Sequence, residues 1–330
     1  MSAIGLPPDP PTNPAAGGAA AATTTAATTG GATAAAPPVV DPVLRNVAKR
    51  VESGQCILFL GAGVHSPAPD ASGFAYDAAL APPRGSELAR RLATGSGYQA
   101  AFPTYEPTHL QRVAAHYESV LDRRQLVAAI RQEVGEGKQP SPALHALARL
   151  NFPLVITTNY DRLFETALTA AGKPFDRSTY QPSDSIATQD LESDPSAARP
   201  FVLKIHGDIE TPESIVVTDE DYIQFILRMG DPESVNPIPL GLKFYLRRWP
   251  TLFIGYSLMD YNLRLLFKTL RWRMDRAKFP TSWAVDPQPD PLLVRVLGEG
   301  TGRQVSFIAQ DVWAFVPTLY RLVTGQEMPR

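Results

Sequence analysis

The chain has 330 residues, with 31 Lys and Arg against 33 Asp and Glu, a formal charge of −2 and a single cysteine, Cys56. That balance supplies no basic surplus for non-specific phosphate binding, and one cysteine excludes an intramolecular disulfide framework or a four-cysteine zinc site. No run approaches the roughly 18 uninterrupted apolar residues of a membrane-spanning helix, so the expectation is a soluble, cytoplasmic protein.

Of the first 40 residues, 32 are Ala, Gly, Pro or Thr, and Asp9 carries the only charge among them. With almost no large apolar group to bury, residues 1–41 are expected to be a disordered tail and residues 42–330 the folded part. Cys56-Ile-Leu-Phe-Leu60 is a continuous apolar run ending in glycine, the pattern of a strand buried on both faces. The same pattern recurs at Pro153–Thr157, Phe201–Ile205, Thr251–Gly255, Thr281–Val285 and Val305–Ala309. Helical spacing follows several of these runs, over about Asp161–Ala171, Asp260–Met274 and Val312–Thr324. Strands alternating with helices predict an α/β fold with a doubly wound, mostly parallel, Rossmann-like sheet.

The link between the first two strands is far longer than a crossover requires. Apolar residues at helical spacing (Leu110, Val113 and Tyr117; Leu126, Ile130 and Val134; Leu144, Leu147 and Leu150) predict a helical insert at about 84–150, over the carboxyl ends of the strands. Residues Arg177–Arg199, polar and rich in Ser, Asp and Pro, read as a mobile loop.

Ligands of open α/β sheets bind beyond the carboxyl edge, and the distinctive residues fall there. Gly61-Ala62-Gly63-Val64 follows the first strand, where glycines allow a tight turn and a close approach of backbone N–H groups to a phosphate. Ser66 stands where a dinucleotide G-x-G-x-x-G fingerprint has its third glycine, which disfavours a plain nicotinamide dehydrogenase. Thr157-Thr158-Asn159-Tyr160-Asp161 ends the second strand and His206-Gly207-Asp208 the third. Taken singly, Asn159 also suits a helix cap and His206 a packed histidine bonded to backbone. His65 either faces a phosphate or serves structurally or at the surface. His109, His116 and His145 lack metal-ligand spacing and read as structural or surface residues. Basic clusters at Lys243–Arg248 and Arg271–Lys278 read mainly as solvated faces, so direct nucleic-acid binding is not expected.

Together, Gly61-Ala-Gly-Val64, Thr157-Thr-Asn-Tyr-Asp161, Ile205-His-Gly207 and Phe253-Ile-Gly-Tyr-Ser-Leu258 resemble, in order and spacing, the nicotinamide-dinucleotide site of sirtuins. The likeness is closest to the zinc-less sirtuin-like NADases of bacterial anti-phage defence, and it spans about residues 45–325. The resemblance implies an NAD-binding catalytic domain that hydrolyses the nicotinamide–ribose bond. In it Asn159, His206 and Asp161 would be catalytic, and Gly61, Ala62, Gly63, Val64, Thr158, Gly255, Tyr256, Ser257 and Asp286 would contact NAD. It also implies NAD as substrate, no zinc, a homo-oligomer, and control by a partner such as a hexameric ATPase translocase or an Argonaute-like protein. The paired cysteines of the protein deacylases are missing, which disfavours a lysine deacylase. A non-catalytic module sensing NAD or ADP-ribose is the remaining alternative.

Overall fold

The structure, a computed structural model, describes residues 41–182, 188–229, 237–256, 280–298 and 305–330. All of the expected tail but Asp41, together with Ser257, the expected helix over 260–274 and the basic cluster at 271–278, lies outside the described residues.

Seven parallel strands form one sheet in the order β3-β4-β2-β1-β5-β6-β7. They are β1 (Ile57–Leu60), β2 (Leu154–Thr157), β3 (Asp176–Thr179), β4 (Phe201–Lys204), β5 (Thr251–Ile254), β6 (Ser282–Val285) and β7 (Val305–Ile308). β1 lies between β2 and β5, in register from Ile57 opposite Leu154 and Thr251 to Leu60 opposite Thr157 and Ile254. The chain therefore leaves β1 towards one edge and returns beside it to build the other. A crevice opens at such a reversal, beyond the carboxyl ends of the strands.

Both faces of the sheet are covered, which is why its strands other than the edge strand β3 are mostly apolar. Leu58, Leu60, Val155, Val202, Leu252 and Ile254 face one layer, made of α1 (Pro42–Glu52), α6 (Pro142–Arg149), α7 (Leu163–Ala170) and the C-terminal helix Val312–Thr324. The alternate residues Ile57, Phe59, Leu154, Ile156, Leu203 and Phe253 face the other, under α8 (Asp219–Met229) and α9 (Leu240–Leu246). The layer faced alternates with the pleat, so a one-residue slip in a central strand would exchange its two apolar sets between different layers.

A third core lies beyond the carboxyl edge. Leu88 and Leu92 of α2 (Gly85–Ser96), Val113 and Tyr117 of α4 (Leu110–Val120), and Leu126 and Ile130 of α5 (Arg123–Gly135) pack together. With them are Tyr160 from the turn after β2 and Ile209, Ile215 and Val217 from the segment after β4. The helices between β1 and β2 thus rest on the turns that carry the distinctive polar residues.

Two elements differ from the sequence reading. Arg177–Arg199 is not wholly loop, because β3 at its start pairs with β4 from Asp176 opposite Phe201 to Thr179 opposite Lys204. As an edge strand exposed along one side it carries Asp, Arg, Ser and Thr, so no apolar run announces it. α1, which the periodicity analysis leaves out, begins at Asp41, whose carboxylate accepts from Val43 N, with Pro42 in the first turn. No helix among the described residues is long and apolar enough to cross a membrane.

Gly255 ends β5 at φ +69°, and a Cβ there would run into Val64 N and the Gly63 carbonyl carbon. Gly255→Ala is expected to cost about 2–4 kcal/mol, combining left-handed strain with overpacking. Gly172→Ala, at φ +70° with open space around it, should cost only about 1–2 kcal/mol. Urea titrations of both variants measure the difference, and equal midpoints would refute this account of the turn.

Candidate active site

The turns after β1, β2, β4, β5 and β6 converge on a cavity of about 620 Å³, within the usual range for a small-ligand site. Ala62, Gly63, Thr158, Asn159, Asp161, His206, Gly255, Tyr256 and Asp286 all line it. These are nine of the residues singled out from sequence, brought together from five separate segments. Gly61 and Val64 are not among the lining residues; Gly61 is buried and the Val64 side chain is in the core.

The glycines allow the β1 and β5 turns to touch. Gly63 N donates to Gly255 O at 2.7 Å, and a Cβ on Gly61 would lie 2.6 Å from that same oxygen. Glycine is required at 63 and 255 because backbone meets backbone, and at 61 a Cβ would meet the Tyr256 side chain as well; Ala62 and Gly63 line the cavity.

The Thr-Thr-Asn turn is built from its own side chains. Thr157 Oγ1 donates to Leu60 O at 3.1 Å and accepts from Asn159 N at 3.0 Å, tying the turn to the end of β1. Asp161 Oδ1 accepts from Leu163 N at 2.9 Å, so this carboxylate, rather than Asn159, caps the following helix. Asn159 points instead to His65. The His65 Nε2 atom lies 3.2 Å from Asn159 Nδ2 and 3.2 Å from Asp161 Oδ2. His65 is only 2% exposed and lines the cavity, which excludes the surface position left open by the sequence.

His206 is buried, with Nδ1 3.4 Å from the Tyr222 hydroxyl of α8. Tyr222 and Phe225 stack edge-on against the imidazole, at centroid distances of 5.0 and 5.5 Å. Gly207, at φ +94°, turns the chain against the Ser214 carbonyl, where a side chain has no room. Tyr160 OH donates to Val216 O at 2.8 Å, and Val216 N donates to His206 O at 3.0 Å. The Asn159 and His206 turns are thereby joined.

Beneath both turns lies Lys204, fully buried at the end of β4. Its Nζ donates to the backbone oxygens of Tyr160, at 3.2 Å, and of Asp161. It also lies 3.4 Å from Glu165 Oε1 and 3.5 Å from Asp208 Oδ2. Arg162 Nε donates to both oxygens of Asp208, at 2.8 and 2.9 Å. Burial alone would raise the Asp208 pKa, but Lys204, the Glu210 N–H and Arg162 outweigh it and hold the carboxyl below its ordinary value. Asp161 is likewise held below its ordinary value: burial opposes ionisation, and His65, Lys204 and the Leu163 N–H overcome it. Glu165 is shifted the other way, because burial outweighs its contact with Lys204.

The helices between β1 and β2 supply Arg84, Ser86, His109 and Gln111 to the cavity lining, and the C-terminal helix supplies Trp313. His109, exposed at the start of α4, is thus at the surface and also on the cavity wall. Sequence reasoning missed Tyr222, Lys204 and the role of His65, none of which stands in a motif that marks it. Among the described residues no group of three His, Cys, Asp or Glu side chains is arranged to hold a metal ion, and Cys56 is buried in the core beside β1.

Residues 153–302, which carry the Thr-Thr-Asn, His-Gly and Gly-Tyr-Ser segments, match the SIR2-like domain family. That part of the chain is similar to SIR2-like domains. It is 26% identical over 230 residues to the NAD(+) hydrolase ThsA of Acinetobacter baumannii, covering 69% of this chain and 42% of that protein. ThsA of Bacillus cereus is 32% identical over 130 residues, covering 39% of this chain and 25% of the relative. The defense-associated sirtuin 2 of Bacillus subtilis is 27% identical over 158 residues, covering 47% of this chain and 14% of the relative. The chain therefore spans less than half the length of each of these relatives.

Lys204→Met leaves three buried carboxylates short of a cation and should destabilise the fold by about 3–5 kcal/mol at neutral pH. Asp208 is depressed in the folded state, so it contributes stability above the ordinary carboxylate range, lost as pH falls through its folded value. Removing Lys204 raises that folded value, so acid unfolding should begin at a higher pH. Circular dichroism during acid titration of both proteins checks the direction, and an unchanged acid midpoint would refute it.

Proposed function

We propose that this chain is an NAD+ glycohydrolase, cleaving the nicotinamide–ribose bond to give nicotinamide and ADP-ribose. The observation that carries this reading is the convergence of Asn159, Asp161 and His206 on one cavity with Gly63 and Asp286. Relatives named NAD(+) hydrolase support it.

The bond to be broken joins ribose C1′ to a pyridinium nitrogen. Its electron pair departs with nicotinamide, which leaves as a neutral molecule and needs no acid, unlike an ordinary glycosidic leaving group. The enzyme's task is to stabilise an oxocarbenium-like C1′ and to deliver water to it. Asn159 would hold a ribose hydroxyl or the attacking water. His206 would take the proton that water loses, and the nearby Tyr222 hydroxyl fits a partner that orients its ring. Asp161 would brace the ribose side of the site. Ala62 and Gly63 would present backbone to the pyrophosphate; Thr158, Gly255, Tyr256 and Ser257 would complete the dinucleotide contacts; and Asp286 would accept the hydroxyls of the second ribose.

Residues 42–330 would act as one catalytic domain, with the helices at about 84–150 as an insert over the site and residues 1–41 as a tail. A role in anti-phage defence, supported by the Bacillus subtilis relative being named a defense-associated sirtuin, would require control of NAD depletion. A homo-oligomer or a separate regulatory partner in the cytoplasm would supply that control.

Chromatography of NAD incubated with the pure protein, without any peptide, tests the reading at low and high protein concentration. Nicotinamide and ADP-ribose are the expected products, with His206→Ala and Asn159→Ala each lowering turnover by about 10²–10⁴-fold. Turnover that depends on an acyl-lysine peptide would point to a deacylase, and NAD binding without turnover to a sensor.

A further inference from the structure

His65 sits in the turn after β1, in a position where its chemistry is over-determined. Its Nε2 is 3.2 Å from an Asp161 carboxylate oxygen and 3.2 Å from the Asn159 carboxamide. Its other ring nitrogen, Nδ1, is buried with no hydrogen-bond partner among the described residues. One nitrogen cannot donate to a carboxylate and accept from an amide at the same time.

The Asp161 carboxylate decides the conflict. Its Oδ1 already accepts from the Leu163 N–H and the nearby Lys204 favours its ionised form, and an ionised carboxylate only accepts. Nε2 must therefore carry a proton. A protonated Nε2 repels an amide N–H and attracts an amide oxygen. A half-turn of the Asn159 carboxamide meets this demand by exchanging Oδ1 and Nδ2 while leaving the side-chain frame in place.

We propose that Asp161 and His65 form a positioning couple for Asn159. Asp161 fixes His65 as the Nε2–H tautomer. That N–H fixes the carboxamide with its oxygen towards the ring and its NH2 towards the cavity that Asn159 lines. Asn159 then meets substrate as a hydrogen-bond donor, suited to a ribose hydroxyl oxygen or to the oxygen of the attacking water. His65 acts through Asn159 and touches no reacting atom. This deepens the proposed NAD hydrolysis and rests on it for the identity of the substrate, whereas the tautomer and the carboxamide orientation follow from the side chains alone.

Two measurements on the full chain test the couple. The first is proton–nitrogen correlation NMR of protein labelled with ¹⁵N-histidine, with the His65 signals assigned by their loss in His65→Gln. A proton on Nε2 of His65 is expected, and a bare Nε2 overturns the proposal whether or not the protein turns over NAD. The second is steady-state kinetics. His65→Ala should lower kcat about 10–100-fold, the size of effect that a misplaced positioning group produces, with KM for NAD within about threefold of the wild type. His65→Gln, whose side-chain NH2 can donate to both Asp161 and Asn159, should recover a large part of that loss. An unchanged kcat in His65→Ala, or no recovery in His65→Gln, overturns it. If the wild-type chain does not cleave NAD at any concentration, the hydrolase reading fails by itself and the NMR result still decides the role of His65.

Discussion

A lysine ammonium taken wholly out of water must be surrounded by acceptors, and in this chain the acceptors around Lys204 belong to the site itself. Two are the backbone oxygens of Tyr160 and Asp161, in the turn after β2. The others are the carboxylates of Glu165 in α7 and Asp208 beyond His206. Two segments more than 40 residues apart are thereby held to one cation. The geometry between Asn159 and His206 depends on this arrangement more than on any hydrogen bond between the two side chains. Three carboxylates, Asp161, Glu165 and Asp208, face Lys204, Arg162 and, more distantly, Arg177. Such a buried network adds little to net stability compared with an apolar core of the same shape, yet it is costly to break at any one member. Its effect is to restrict which arrangements of the turns are tolerated.

A second constraint acts across β1. The glycines of the β1 and β5 turns allow their backbones to meet at Gly63 N and Gly255 O. The two halves of the sheet part at this point, so backbone from both turns lines the crevice. The helices between β1 and β2 then provide a wall over it, anchored by the third core through Tyr160, Ile209, Ile215 and Val217. Since Tyr160 belongs both to that core and to the turn carrying Asn159, movement of the wall would be felt at the site.

The motifs at the strand ends were legible because each needs a particular residue for a local reason. Thr157 must bridge β1 and Asn159, Gly207 has no room for a Cβ, and Asp161 must cap α7. The sheet was legible for a related reason, since strands covered on both faces leave uninterrupted apolar runs. β3 escaped notice because an edge strand has no such requirement. Lys204, Tyr222 and the partners of His65 escaped because a lone histidine, lysine or tyrosine carries no periodicity and no spacing. Each acquires meaning only from what it faces.

The division follows the range of the forces involved. Chain order, strand and helix type, and the residues at each strand end arise from local sterics and from burial summed along short segments, so the sequence by itself determined them. Whether Asn159 caps a helix or lines the cavity, whether His65 is exposed or beside it, and which carboxylates share Lys204 were decided only by the tertiary structure. Those outcomes depend on charges and hydrogen-bond partners brought within about 3.5 Å from distant parts of the chain. A buried polar group has its role set by its partners rather than by its neighbours in sequence.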